Sequence, residues 1–166
     1  NILFQIDMCW QLYLYHTENL KETEALWIFS PMGLQIRRHD DGWSIDWPER
    51  ESNEIGPSSI AWIMWHIIYW WRTTLDYNFG DGTLKKEDIT WPGSVEKAKE
   101  EIKTLHDKWV EKLINMSDVE YQSQQYAKWP LEGRSFADIA LWLNGELMKN
   151  VAEIGYGRFL YAACKK

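Results

Sequence analysis

The 166-residue chain has only two cysteines, and Cys9 and Cys164 stand near opposite ends with no Cys-x-x-Cys spacing. That argues against a disulfide framework and against a structural zinc site of the finger type. Basic clusters are also missing: the formal net charge is −7, and nowhere do five Lys or Arg residues gather. A surface that neutralises phosphates needs such a cluster, so nucleic acid is not an expected partner. No apolar run reaches the roughly 20 residues that a bilayer demands. The longest, Ile60 to Trp71, covers twelve. No cationic leader with a small-residue cleavage site precedes the first helical pattern, and the expectation is a soluble, cytoplasmic protein without a membrane partner. Gly-rich phosphate loops and a Gly-x-Ser-x-Gly elbow are absent, and no alternating run is long enough to suggest a sheet.

What the chain has in excess is tryptophan, twelve residues spread over every segment. Each buried indole needs an acceptor for its N–H, and so many large rings either fill a core or wall an aromatic cavity. A single domain over residues 1–166 can bury roughly 70% of its unfolded surface without disulfide or metal staples.

Four long helical patterns organise the chain. Helix one is expected over Ile2 to Ile28, with Leu3, Ile6, Trp10, Tyr13, Leu14 and Thr17 on its buried stripe and Ser30-Pro31 as its stop. Helix two follows Gly56-Pro57, with Ser58 or Ser59 as N-cap, runs to about Tyr77, and is apolar on both faces. Helix three starts at Ser94 and buries Val95, Ala98, Ile102, Leu105, Trp109 and Leu113. Helix four opens with Ser135-Phe136-Ala137-Asp138, an Asp form of the capping box, and runs through Tyr161. About 27 residues join helices one and two, far more than an antiparallel turn needs. The expected fold is all-α: a four-helix bundle with a long crossover connection between helices 1 and 2.

The chemistry concentrates at His66. It lies within Ile60 to Trp71, where it and the Tyr69 phenol are the only titratable side chains. An imidazole in such surroundings has lost most of its water and requires a partner. On the helix-four wheel, Phe136, Ile139, Ala140, Leu143, Leu147, Val151, Ile154 and Tyr161 form the apolar arc; Asn150 lies within it and Glu146 at its edge. A metal, or a hydrogen-bonded polar cluster shared by His66, Glu146 and Asn150, are the two readings of this trio. Glu153 and Lys149 lie further round, where a surface ion pair is expected. His16 reads as half-exposed, His39 as a residue of a charged loop, and His106 as facing solvent.

The segment Gly56-Pro57-Ser58-Ser59-Ile60-Ala61-Trp62-Ile63-Met64-Trp65-His66-Ile67, followed by Glu146 to Arg158, resembles the DinB/YfiT-like superfamily of four-helix bundles. The resemblance extends in helix order and loop placement over nearly the whole chain. It implies that His66 matches the family's helix-two metal ligand. Glu146 and Asn150 stand at the two positions of its helix-four His-x-x-x-His pair, and Ile154 and Arg158 match the positions after that pair. A divalent metal (Zn, Ni, Mn or Fe) on His66, Glu146 and Asn150, weakly bound or absent, is what this implies. So is transfer of a low-molecular-weight thiol, or a related hydrolysis, on a small molecule, with Glu146 as ligand or general base in a homodimer. The alternative is a catalytically silent bundle that binds a small ligand or a protein partner.

Overall fold

The computed structural model describes residues 1–50, 52 and 54–165. The chain is mostly helical: α1 Ile2–Thr17, α2 Glu22–Ala25, α3 Ile60–Phe79, α4 Val95–Asn115, α5 Asp118–Gln122 and α6 Phe136–Cys164. A two-stranded antiparallel hairpin, β1 Ile36–His39 and β2 Gly42–Ile45, interrupts the connection between α2 and α3. The long helices α1, α3, α4 and α6 pack in pairs, α1 on α6 and α4, α3 on α4 and α6. Among the described residues, no helix is long and apolar enough to cross a membrane.

The helix starts follow side-chain chemistry. Ser59 Oγ accepts from Trp62 N at α3 and Ser94 Oγ from Lys97 N at α4, while Ser135 and Asp138 form the reciprocal capping box of α6. Each satisfies backbone donors that a helix leaves unpaired in its first turn. All six residues of the expected α4 stripe are buried.

Helix one ends well short of the expected Ile28. Asn19 adopts φ 57°, a left-handed conformation that an amide side chain tolerates and an α-helix cannot continue through. The chain turns there and resumes as the single turn of α2. The expected stripe also shifts: Ile6, Cys9, Tyr13 and Thr17 are buried, whereas Leu3 and Leu14 face outward. Phe4, Met8, Leu12 and Tyr15 form an exposed apolar row on the same helix.

The hairpin is the second departure, since no strand was expected. Its strands have four residues each, pair Ile36 with Ile45, and bury only Ile36 fully, so no period-two pattern is long enough to read. Asp46 closes its base: Gln35 N donates to Asp46 Oδ2, Asp46 N donates to the Gln35 carbonyl, and Arg37 pairs with the same carboxylate.

The apolarity of α3 on both faces is used within the single chain. Ile60 through Ile68 are buried without interruption, between α4 and α6.

Candidate functional site

Positions three and four apart share one face of a helix. On α3 that places Trp62, His66 and Trp70 in a row, and on α6 it aligns Trp142, Glu146, Lys149 and Glu153. Both rows line one cleft of about 1120 Å³, bounded on its third side by Trp47 to Arg50 and Ile55 to Ser58. That segment is pinned by close backbone approach. Ser59 N donates to the Leu34 carbonyl (2.9 Å), and a Cβ on Gly33 would lie 2.0 Å from the Pro57 carbonyl oxygen.

His66 and Asn150 meet across the interior, as their wheel positions require: His66 Nδ1 lies 2.9 Å from Asn150 Oδ1. The Trp70 indole N–H, one turn along α3, donates to His66 Nε2 at 2.8 Å. An indole can only donate, so Nε2 must accept, the ring is neutral, and its proton sits on Nδ1 and points at Asn150. The Asn150 amide is oriented in turn by donating its Nδ2–H to the Glu146 carbonyl, 2.7 Å away. The hydrogen-bond chain therefore runs in one direction, from Trp70 through His66 and Asn150 to the α6 backbone. The Trp62 ring stacks on the imidazole with centroids 4.7 Å apart. The Trp62 N–H is directed away, to the Asp46 carbonyl (2.7 Å).

The Glu146 side chain is not part of that chain. Its Oε2 is buried and lies 2.7 Å from Lys149 Nζ, outside hydrogen-bonding direction, so the contact is an ion pair along α6. Lys149 thus pairs with Glu146 and not, as expected, with Glu153. Beside the site, burial pushes the Tyr69 phenol above its ordinary range, with Tyr77 and Glu87 adding to the effect, which keeps it neutral.

These observations test the fit of a metal. A ligating imidazole offers a bare nitrogen, yet Nε2 of His66 is taken by an N–H and Nδ1 carries the proton. The Asn150 oxygen receives that proton, and Glu146 is held by an ammonium. Among the described residues no three His, Cys, Asp or Glu side chains are grouped to hold a metal. Among these described residues the arrangement does not fit a divalent cation.

Arg158, one turn beyond Ile154, ties the chain together at the far end of α6. It donates to the carbonyls of His16 and Glu18, at 3.0 and 2.8 Å, and pairs through Nε with Glu24 at 2.8 Å. The two bonds to carbonyls close the C-terminal end of α1, where free carbonyls gather, and the pair with Glu24 ties that end to α2.

The sequence pattern of the DinB superfamily matches residues 5–154. The chain belongs to the DinB superfamily. No curated protein and no solved structure matches it. Within this DinB-superfamily chain, two buried amides were not anticipated. Asn144 Oδ1 accepts from the Trp109 indole (3.3 Å), and its Nδ2 donates to the Ile2 carbonyl (3.1 Å). Asn78 Oδ1 accepts from Lys128 N and Trp129 N, and its Nδ2 donates to the Trp129 carbonyl. Asn78 thereby holds the Trp129 ring 5.6 Å from Trp70 and 6.2 Å from Trp142, behind the cleft. For Asn144 the signal was present: it adjoins Leu143 in the helix-four arc. His106 is a third departure, with a side chain only 12% exposed and its ring stacked 3.9 Å from Trp10 instead of facing solvent.

Proposed function

We propose that this DinB-superfamily protein binds a small molecule in the cleft above His66, and that the His66–Asn150 pair shapes the floor of the cleft and ligates no metal. The observation that carries this reading is the engagement of both imidazole nitrogens, by Trp70 and by Asn150, beneath an aromatic-walled space. Concave, largely apolar clefts with a few polar groups at the rim are where small ligands bind. The expected roles of His66, Glu146 and Asn150 as ligands, and of Glu146 as general base in thiol transfer or hydrolysis, would require Trp70 and Lys149 to give up their contacts. The reading therefore lies with the binding bundle rather than with the metal-dependent transferase.

The test has two parts. Tag-free protein exposed to zinc, nickel, manganese and iron and then dialysed is expected to hold no stoichiometric metal, whereas the Glu146→His/Asn150→His variant gains zinc affinity. One metal per unmodified chain would overturn the metal-free reading. A fragment screen by NMR is expected to shift the Trp62 and Trp70 indole N–H resonances, and a screen in which no fragment shifts either resonance would overturn the binding reading.

Two finer points belong to the same proposal. Each long helix has two long neighbours, α1–α6–α3–α4 and back to α1, which supports a four-helix bundle with its crossover between α1 and α3. A homodimer would use the Phe4, Met8 and Leu12 row of α1. Sedimentation equilibrium of wild type and Phe4→Glu at tens of micromolar tests it, and a wild-type mass near 20 kDa refutes it.

A further inference from the structure

We propose that the ligand of the cleft is a long molecule with an unbranched aliphatic chain, and that the chain lies beside Leu160, toward the C-terminal end of α6. This rests on the reading of the cleft as a ligand site and adds the shape of its occupant. The α6 wall runs from Trp142 through Glu146, Lys149 and Glu153 to Gly157 and Leu160. On an α-helix that stretch is about 27 Å long. The other walls keep step with it. Trp70 meets Trp142 with ring centroids 5.0 Å apart, His66 meets Asn150 at 2.9 Å, and a Cβ on Gly157 would lie 3.0 Å from Ile60 Cγ1, so α3 runs antiparallel to α6. The connecting segment follows the order of α3, with Trp47 5.0 Å from Tyr69 and Pro57 just before Ile60.

The two ends of this groove differ in chemistry. One is tryptophan, from Trp47, Trp70 and Trp142; the other is hydrocarbon, from Phe29, Leu34, Pro57, Ile63 and Leu160. Phe29 and Leu34 are only half-buried against the core, which leaves carbon surface for an occupant to cover. The backbone at this end has little to offer a polar group. Pro57 has no N–H, the Leu34 carbonyl accepts from Ser59 N, and the Ser59 carbonyl accepts from Ile63 N. The polar side chains on the same turns are the hydroxyls of Ser58 and Tyr156. An extended peptide would bring an N–H and a carbonyl with every residue and strand them against Phe29, Leu34 and Leu160. An alkyl chain brings neither. From Lys149 to Leu160 the helix rises about 16 Å. An extended chain advances roughly 1.25 Å per carbon, so about a dozen carbons span that distance, with the polar head at the level of Lys149 and His66.

The probes are n-alkyl-N,N-dimethylamine N-oxides with butyl, hexyl, octyl and decyl chains, net neutral and kept below micelle formation. The 1-adamantyl analogue folds as many carbons as decyl into a cage. Titrated into the whole protein by calorimetry, the chains are expected to bind one per protein molecule and to tighten about two- to fourfold per methylene through decyl, the range of a partly to fully buried CH₂. Decyl should bind roughly tenfold or more tightly than adamantyl. Nuclear Overhauser contacts should join the terminal methyl of decyl to the methyl groups of Leu34 and Leu160. Leu160→Trp, at a half-buried position, should cancel the advantage of decyl over hexyl while butyl and hexyl bind as before, and Leu34→Trp should block the same end independently. A plateau at hexyl, or adamantyl binding as tightly as decyl, overturns the chain and leaves the cleft a ligand site. Terminal-methyl contacts with Trp142 instead, or an advantage for decyl unchanged in both variants, overturn its placement. Absence of binding by every probe overturns the chain inference, while the fragment screen decides the binding reading separately.

Discussion

Trp70→Phe is the sharpest probe of the polar chain in the core. The substitution keeps an aromatic ring on α3 but removes the N–H that His66 Nε2 accepts at 2.8 Å. Loss of the donor to a buried acceptor costs about 1–3 kcal/mol. The smaller ring also weakens the edge contact with Trp142, 5.0 Å between centroids, which adds about 0.5–1.5 kcal/mol. Together these amount to about 1.5–4.5 kcal/mol, a large part of a typical domain's net stability. For a chain of this size that corresponds to a fall in Tm of about 3–18 °C. Urea denaturation of Trp70→Phe, His66→Leu and the double variant isolates the pair. A coupling of about 0.5–3 kcal/mol is expected between residues in direct contact. Nitrogen-15 NMR of the imidazole is the independent readout, with the proton expected on Nδ1 and Nε2 bare. A proton on Nε2 in the wild type, or negligible coupling in the cycle, would refute the assignment on which the metal-free reading depends.

Glycine substitutions offer a paired test. Gly33→Ala would drive a Cβ to 2.0 Å from the Pro57 oxygen, and a loss of at least about 1–3 kcal/mol in chemical denaturation is expected. Gly145→Ala, exposed within α6 with nothing within 4 Å of its Cβ position, should gain about 1 kcal/mol. Arg158→Met strands the Glu24 carboxylate, itself 8% exposed, and about 2–3 kcal/mol should be lost because the arginine is partly solvated. Adding Glu24→Gln should recover much of that loss. Burial holds the His106 imidazole below the usual histidine range, against its hydrogen bond to the Asp107 carboxylate and that carboxylate's charge; Lys103 acts with burial and Asp7 against it. The folded state therefore binds its proton at lower pH than the unfolded chain. The neutral ring's contribution is complete above about pH 6.5 and is lost as pH falls from there toward the folded pKa. His106→Phe should flatten the difference in Tm between pH 7 and pH 5, and an unchanged slope would count against it.

Much of this architecture was legible because single side chains carry it. Ser59, Ser94 and Ser135 announce three helix starts, and the α4 stripe repeats at helical spacing over five turns. His66 opposite Asn150 followed from the wheel alone. What escaped depends on geometry that periodicity does not encode. The end of α1 is decided by one left-handed residue, Asn19, amid a pattern that otherwise reads as helix. The strands of the hairpin are shorter than the window that reveals alternation. In sequence Trp70 reads as apolar bulk, since nothing in its spacing tells where an indole N–H points. His106 looked solvated beside Asp107 and Lys108, and only the arrival of Trp10 from another helix covers it. Lys149 chose Glu146 over Glu153 at three residues' distance instead of four, a choice of rotamer rather than of sequence.

The indoles around the cleft also make the chain its own chromophore. Trp70 lies 5.0 Å from Trp142 with the ring planes at 87°, and Trp129 lies 6.2 Å from Trp142 at 90°. Transition dipoles so close couple, and coupled transitions of unlike orientation absorb left- and right-circularly polarised light unequally, in paired bands of opposite sign. The folded protein is expected to carry such a couplet in its circular dichroism, superposed on the helical signal. Replacing Trp142 should remove most of it while leaving the helix count untouched.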